Sequence, residues 1–187
     1  MTIAVAVKKN YTITLATDSL FSLNGCSLVS ADNFKGSKII KSNDAMISIA
    51  GMDMFYDITL KYLCECPEED VCLETEEDIY GFFLGLYRFA FEHCFLDRFA
   101  DDDEANASFL IANEHGIFYV ASDLSVSKFD QYWAIGSGAE YALGSLANNY
   151  GRGATGQSLA QMAVQTAISF DLHCGGEIIT EVLVKEK

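Results

Sequence analysis

The amino-acid sequence predicts a single α+β domain built on two β layers. Segments rich in β-branched residues fill the first fifty residues and return between residues 108 and 135. Each β block is followed by two segments with helical periodicity, and one more β segment closes the chain. Half of the 187 residues are hydrophobic, which is the composition of a globular chain. Because sheets and helices must cover each other's apolar faces, this order predicts two stacked sheets with a helix pair outside each.

The first β block contains four predicted strands. The segments Ile3–Val7 and Tyr11–Thr17 are rich in β-branched residues, and the polar residues 8–10 separate them. Two further runs, Lys38–Lys41 and Ala45–Ile49, flank a turn at residues 42–44.

The period of the apolar residues changes after this block. From Met52 to Leu63 they recur at three- and four-residue spacing, which predicts a helix that ends near Pro67. Thr75 is predicted to cap a second helix, with the acidic Asp78 at its third position. This helix is predicted to have one apolar face, formed by Ile79, Phe82, Phe83, Leu86, Phe89, Ala90 and His93.

The second half of the chain repeats this order. Strands are predicted at Ser108–Ala112, Ile117–Ser122 and Trp133–Ile135, helices at Ala139–Asn149 and Gln157–Phe170 with Thr155 as the cap of the latter, and a closing strand at Ile178–Val184. We find no linker, and no internal repeat beyond this coarse two-fold pattern. Residues 1–187 are therefore interpreted as one domain.

The net charge of the chain is −15, from 27 acidic and 12 basic side chains. Residues 65–104, here called the acidic segment, hold 14 of the acidic side chains and only 2 of the basic ones, around a predicted helix. Since no basic stripe could replace the counterions of a phosphate backbone, nucleic acid is excluded as a partner, and so is an anionic membrane surface. The acidic segment is either a pair of solvated loops flanking a helix or a docking surface for a basic partner.

A cytoplasmic protein is expected. No apolar run approaches the roughly 20 residues that a membrane-spanning helix needs. Lys8 and Lys9 follow the first apolar stretch, whereas a signal peptide has its basic residues before it. The six cysteines of a chain this long are interpreted as reduced thiols rather than as a disulfide framework.

Two familiar patterns in the chain do not lead to a function, and two common catalytic motifs are absent from it. Residues 151–156 match G-x-G-x-x-G, but they follow a helical stretch instead of a strand, so a dinucleotide site is not supported. Cys64, Cys66 and Cys72 do not have a zinc spacing and are interpreted as structural thiols, so no metal is expected. The histidines form no H-E-x-x-H motif and there is no G-x-S-x-G elbow, which leaves Ser–His–Asp catalysis with weak support.

Thr2 is the strongest candidate for chemistry. If Met1 is removed, this one residue carries both a hydroxyl nucleophile and a free α-amine. The amine has a reference pKa near 7.7–8.0, so part of it is neutral at pH 7 and can accept the hydroxyl proton directly or through a water. A threonine elsewhere in a chain needs a separate base, whereas this one brings its own. A nearby ammonium held by a carboxylate would further favour the alkoxide.

Several other residues match, in sequence order, the pattern of a known family. Thr2 opens the run Thr-Ile-Ala-Val-Ala-Val-Lys-Lys-Asn, and Asp18 follows it after sixteen residues in Ala-Thr-Asp. Lys38 begins a run that fits K-[IV]-x-x-x-N, and Gly51 lies in an Ala-Gly step between a strand and a helix. These features resemble the proteasome β subunits and HslV, the bacterial threonine peptidase that forms double rings. The resemblance implies that Asp18 is the buried aspartate, Lys38 the activating ammonium and Gly51 the backbone donor to the oxyanion.

The resemblance continues downstream and has departures. Ser137 lies in a Gly-Ser-Gly step like the one that opens the family's third helix, which implies a supporting hydroxyl, although it could also cap that helix. Asp171 lies in a run similar to the family's D-x-x-S-G-G, in which aspartate and serine support the amine of the nucleophile. Cys174 replaces that serine, and a thiol is a weaker hydrogen-bonding group. Ile49 and Asp53 match positions that line the family's substrate pocket.

The resemblance implies a function and a fold. It implies a four-layer α-β-β-α sandwich of the N-terminal nucleophile hydrolase type, acting as a threonine-type endopeptidase on polypeptides without a cofactor. It also implies stacked homo-oligomeric rings with the active sites inside, fed by an ATP-dependent unfoldase ring. Two alternatives stay open: a non-catalytic ring-forming scaffold or regulatory protein of the same fold, for which Cys174 is an argument, and a hydrolase of small amides from the wider nucleophile group.

Overall fold

The computed structural model describes residues 2–23, 27–29, 37–67, 71–94 and 107–184. Within these residues the chain forms eleven strands and four helices. In chain order they are β1 (Ile3–Lys9), β2 (Thr12–Asp18), β3 (Phe21–Leu23), β4 (Ser27–Val29), β5 (Ile39–Ser42), β6 (Ala45–Gly51), α1 (Met54–Glu65), α2 (Glu76–His93), β7 (Ala107–Asn113), β8 (Gly116–Val120), β9 (Val126–Phe129), β10 (Tyr132–Gly136), α3 (Ala139–Asn149), α4 (Gly156–Phe170) and β11 (Ile178–Val184).

The strands form two main antiparallel sheets. One has four strands in the order β10-β1-β2-β11, and the other has five in the order β5-β6-β7-β8-β9, while β3 and β4 pair with each other. One apolar core lies between α1, α2 and the five-stranded sheet, a second between the four-stranded sheet and α3, α4, and a third between the sheets. The predicted four-layer α-β-β-α sandwich is confirmed.

The packing of strand β1 explains why its segment Ile3–Val7 is apolar at every position. Its residues alternate between two buried faces: Ile3, Val5 and Val7 belong to the core beneath α3 and α4, whereas Ala4 and Ala6 belong to the core between the sheets. All five are fully buried. Since successive side chains of a strand point to opposite faces, a strand that is covered on both sides needs apolar residues at every position.

An aromatic cluster packs α1 and α2 onto the five-stranded sheet. The ring centroids of Phe83 and Phe109 are 4.4 Å apart, and those of Phe55 and Phe109 are 6.0 Å apart in an edge-to-face arrangement. All three side chains are fully buried. Aromatic pairs at these separations add to the free energy already gained by burying their area. This packing holds α1 in place directly after Gly51, at one margin of the site described below.

The predicted helix caps are confirmed, whereas one predicted core residue is wrong. The Thr75 side chain accepts from the backbone of Asp78 in a reciprocal capping box, and Thr155 caps α4 through Ser158. His93 was expected on the apolar face of α2, but its side chain is 54% exposed, with its ring 4.9 Å from that of Phe89. A polar imidazole in the last turn of a helix keeps its hydration by lying at the rim of the core.

Two features of the chain differ from or escape the sequence prediction. Strands β3, β4 and β9 were not predicted, and β9 forms the outer edge of the five-stranded sheet. The acidic segment contributes α2, whereas its runs at residues 68–70 and 101–104 lie outside the described residues.

The five described cysteines are unpaired, in agreement with the interpretation as thiols. Among the described helices, none combines the length and the apolar character needed to cross a bilayer.

Candidate active site

Three neighbouring strands bring the candidate residues together at one end of the four-stranded sheet, where β1 begins and β2 and β10 end. Thr2 directly precedes β1, and Asp18 is the last residue of β2. Because β1 and β2 are antiparallel with Ala4 opposite Thr17, the start of one strand lies beside the end of the other. On the other side of β1, Gly136 at the end of β10 pairs with Ile3.

Asp18 is the centre of a hydrogen-bond network. Its Oδ1 accepts from the hydroxyl of Thr2 at 2.9 Å, from the ammonium of Lys38 at 2.7 Å and from the backbone N–H of Ile3 at 3.1 Å. Its Oδ2 accepts from the backbone N–H of Gly175 at 3.0 Å. Since the hydroxyl and the ammonium share one oxygen, the structure brings three of the predicted site residues into direct contact.

This network is almost completely removed from solvent. Thr2 is 4% exposed, Asp18 is fully buried and Lys38 is 6% exposed. Burial lowers the pKa of the Lys38 ammonium, and the attraction and hydrogen bond of Asp18 oppose that shift. A charge buried in this way is tolerated only when it is paired and hydrogen-bonded, as it is here. A fixed cation beside the Thr2 hydroxyl lowers the free energy of the corresponding alkoxide.

A backbone segment that follows α4 fixes the orientation of Asp18. Besides the bond from Gly175 to the carboxylate, the N–H of Leu20 donates to the carbonyl of Gly175 at 3.0 Å, and the N–H of Glu177 donates to the hydroxyl of Ser19 at 2.8 Å. Gly176 has a φ of +77°, and a Cβ there would overlap the Ser19 hydroxyl. The Gly-Gly pair at 175–176 is the sequence signal for this support, but the donor to Asp18 was not predicted.

Glycine is also required beside Thr2 itself. Gly136 has a φ of +99°, and a Cβ at this position would overlap the carbonyl oxygen of Thr2. A Cβ at Gly138 would lie 2.9 Å from the sulfur of Cys174 and 2.7 Å from the Cβ of Ala167. The Gly-Ser-Gly step therefore lets β10 and the start of α3 approach Thr2 and Cys174 closely.

Ser137, Cys174 and Asp171 form a polar cluster that reaches Thr2. The Ser137 hydroxyl donates to the carbonyl of Thr2 at 3.5 Å and lies 3.9 Å from the sulfur of Cys174. The thiol of Cys174 donates to Asp171 Oδ2 at 3.3 Å, and the N–H of His173 donates to Asp171 Oδ1 at 3.0 Å. The N-cap residue of α3 is Gly138, so Ser137 lies one residue before the capping position, and its hydroxyl contacts Thr2.

Burial and hydrogen bonding set the charges in this cluster. Burial raises the pKa of the Cys174 thiol to about 12, and the neighbouring Asp171 adds to that shift, so the sulfur stays protonated and acts as a donor. For Asp171, burial raises the pKa, but hydrogen bonds from Ser137, His173 and Cys174 outweigh it and leave a lowered pKa. The cluster therefore combines an ionised acceptor, Asp171, with two neutral hydrogen-bonding groups, Ser137 and Cys174, and Ser137 contacts the Thr2 carbonyl.

The remaining predicted residues lie at the end of β6 and the start of α1. Gly51 is the last residue of β6 and has a φ of +130°, which side-chain-bearing residues rarely adopt. On the same strand, the hydroxyl of Ser48 donates to the carbonyl of Lys38 at 2.9 Å and ties this strand to the lysine. The half-buried Ile49 packs against the core beneath α1 and α2, and the exposed Asp53 attracts the Lys38 ammonium. The roles of Gly51, Ile49 and Asp53 stay predictions.

Comparison with known proteins gives structural but not sequence-family matches. No family model and no curated protein matches the chain. A solved structure of Thiobacillus denitrificans BPH in complex with epoxomicin is 28% identical, with a TM-score of 0.88 over 99% of this chain and 100% of that one. A second structure of Thiobacillus denitrificans BPH has 28% identity and a TM-score of 0.87 over 98% of each chain. Eukaryotic HslV from Trypanosoma brucei is 20% identical, with a TM-score of 0.68 over 97% of this chain and 99% of that one.

Proposed function

Because the chain has the fold of HslV and of proteasome-like proteins, we propose that it is a threonine-type endopeptidase subunit of a self-compartmentalising ring. Its nucleophile is Thr2, made amino-terminal by cleavage of the bond to Met1. The observation that carries this proposal is the buried convergence of the Thr2 hydroxyl and the Lys38 ammonium on one oxygen of Asp18. The epoxomicin complex of the Thiobacillus denitrificans relative supports a site of this kind.

The first step forms a bond between Thr2 and the substrate. The α-amine of Thr2 takes the hydroxyl proton, directly or through one water, while Oγ attacks the carbonyl carbon of the scissile peptide. The nearby Lys38 cation stabilises the negative charge that develops on Oγ. Ser137 and Asp171 orient the amine, and the protonated Cys174 completes their hydrogen-bond cluster.

The tetrahedral intermediate then collapses to an ester. The carbonyl oxygen carries the negative charge in this intermediate, and the N–H of Gly51 donates to it. One such donor is worth on the order of 3 kcal/mol of transition-state stabilisation. When the carbon–nitrogen bond breaks, the ammonium of Thr2 returns its proton to the leaving amine. The acyl group remains as an ester of the threonine.

Water completes the cycle. The free amine of Thr2 takes a proton from a water molecule as that water attacks the ester carbonyl. Collapse of the second tetrahedral intermediate breaks the ester bond, and the proton returns to Oγ. The carboxylic acid product leaves, and the threonine is regenerated with its hydroxyl and amine.

The proposal includes an assembly and its partners. Identical subunits stack as rings that enclose their active sites, polypeptides are the substrates, and an ATP-dependent unfoldase ring feeds them in. The full-length structural match to HslV supports this part of the proposal. Native mass spectrometry of the purified protein would test it, since rings give a multiple of the 20.5 kDa chain mass, whereas a monomer at micromolar concentration would contradict the assembly.

Intact mass of the protein from its natural host tests the chemistry. We expect loss of Met1, and one epoxomicin adduct per chain that Thr2→Ala abolishes and Thr2→Ser retains. Processing should be checked separately in Thr2→Ala, because a blocked amino terminus also prevents the adduct. Persistent Met1 with no adduct would support the non-catalytic scaffold instead. Cleavage of small amides without cleavage of peptides would support the wider group of amide hydrolases.

A further inference from the structure

The ring of Phe21 lies against the ammonium of Lys38. Phe21 is the first residue of β3, three residues beyond Asp18, and its ring centroid is 5.1 Å from the Nζ of Lys38. The ring is half-buried, while Lys38 is 6% exposed. The ammonium therefore lies between a carboxylate that it touches at 2.7 Å and an aromatic ring within contact range of a cation–π interaction. None of the sequence patterns described above singles out Phe21.

The ionisable groups near Lys38 do not account for all the stabilisation that its buried ammonium can receive, and a neutral aromatic ring can add to it. Among the residues that the structure describes, three ionisable groups act on this ammonium: Asp18, Asp53 and Cys174. Asp18 already accepts four hydrogen bonds. Asp53 is exposed, so solvent screens its attraction to the ammonium. The Cys174 thiol is neutral, because burial raises its pKa to about 12. An aromatic face attracts a cation without requiring a further buried charge, and this attraction grows where water is excluded.

We propose that Phe21 is a positioning residue for Lys38. The face of the Phe21 ring holds the Lys38 ammonium beside Thr2 and keeps it charged. The ring and Asp18 contact the same ammonium, so they restrict it to the Asp18 oxygen that also accepts from the Thr2 hydroxyl. The contribution to catalysis rests on the proposed peptidase function, whereas the effect on Lys38 does not.

Titration of Lys38 by NMR tests the contact without requiring activity. In protein labelled with ¹³C-lysine, the resonance that disappears in Lys38→Met identifies Lys38. Replacing Phe21 with leucine keeps an apolar side chain but removes the ring, and we expect the Lys38 pKa to fall by about one unit, the range of a desolvated cation–π contact. The matched variant Phe21→Tyr keeps the ring and is expected to titrate as the wild type does. If Phe21→Leu does not fold, Phe21→Met removes the ring with an unbranched chain.

The pH profile of peptide hydrolysis tests the role in catalysis. If the reaction needs the Lys38 ammonium, the basic limb of the kcat/KM pH profile of Phe21→Leu lies at lower pH than that of the wild type, by the same amount as the shift in the NMR titration. The basic limb of Phe21→Tyr is expected at the wild-type pH. A lower kcat with an unmoved limb would assign Phe21 a merely structural role and overturn the proposal. An unchanged Lys38 titration in Phe21→Leu would overturn it as well. A shifted titration in a protein that neither cleaves peptides nor binds epoxomicin would uphold the contact and reject the peptidase function.

Discussion

Lys38 and Asp18 form an ion pair of 2.7 Å whose side chains are 7% and 0% exposed. A second ion pair, between Lys41 and Glu181, has the same length but side chains that are 62% and 36% exposed. The two lysines lie three residues apart in the sequence. They offer a matched test of what burial does to an ion pair in this protein.

Removal of Lys38 should be far more costly than removal of Lys41. Lys38→Met leaves the Asp18 carboxylate buried without its cation, and we expect the free energy of unfolding to fall by about 3–5 kcal/mol. Lys41→Met breaks a solvated pair and is expected to change it by less than about 1 kcal/mol. Urea unfolding of both variants measures this contrast. Equal losses would show that the buried pair contributes no more than the exposed one.

Stability should rise with pH in the alkaline range because of Lys38. Burial lowers its pKa in the folded protein below the ordinary value of 10.5, so between these two values the unfolded chain binds more protons. The free energy of unfolding therefore increases with pH through that window. Urea unfolding at a series of pH values, with Lys38→Met as the reference that cannot titrate there, isolates the effect. A difference between the two proteins that stays constant through the window would contradict a lowered pKa.

Two glycine-to-alanine replacements should have opposite effects. Gly136→Ala combines a φ of +99° with overlap of the Thr2 carbonyl, and we expect a loss of about 2 kcal/mol or more together with loss of epoxomicin labelling. Gly144 lies inside α3 with nothing within 4 Å of a new Cβ, so Gly144→Ala should stabilise the protein by about 0.5–1 kcal/mol with labelling unchanged. Thermal unfolding and intact mass report both properties. Normal labelling of Gly136→Ala would show that the reaction with epoxomicin tolerates a displacement of the Thr2 carbonyl.

A hydroxyl at position 174 should improve the proposed reaction. The protonated thiol of Cys174 is 3.3 Å from Asp171, and a serine hydroxyl is a stronger donor to a carboxylate. With a gain of about 1 kcal/mol in the hydrogen bond, Cys174→Ser is expected to raise kcat/KM about fivefold. Cys174→Ala, which has no donor, should lower it. Steady-state hydrolysis of a fluorogenic peptide measures both, and equal rates for the two variants would show that Cys174 does not help to orient the amine.

Much of the fold was predictable because burial leaves a strong pattern in the sequence. Strand β1 is covered on both faces and carries an uninterrupted apolar run, and the ends of α3 match the prediction residue for residue. Strands β3 and β9 were missed because segments of three or four residues with mixed polarity carry little periodicity. His93 was misplaced because its spacing fits an apolar face although its polarity does not.

The candidate site was predictable only where side chains define it. Thr2, Asp18 and Lys38 are recognisable by residue type and spacing, and the structure brings them into contact. The N–H of Gly175 that donates to Asp18 belongs to the backbone, and any residue except proline could supply it. The approach of Phe21 to Lys38 depends on the path of the chain after β2, which local periodicity does not specify.

The reactive constellation is divided between the two halves of the sandwich. Thr2 directly precedes a strand of the four-stranded sheet and Asp18 ends another, whereas Lys38 directly precedes the first strand of the five-stranded sheet. A chain emerging from the ribosome thus carries Thr2 and Asp18 before Lys38, and stacking of the sheets brings the Lys38 ammonium to the carboxylate that Thr2 also contacts. Under the proposed function, a chain whose sheets have not yet stacked would lack the Lys38 ammonium at Asp18, and peptide cleavage would begin only when folding is complete.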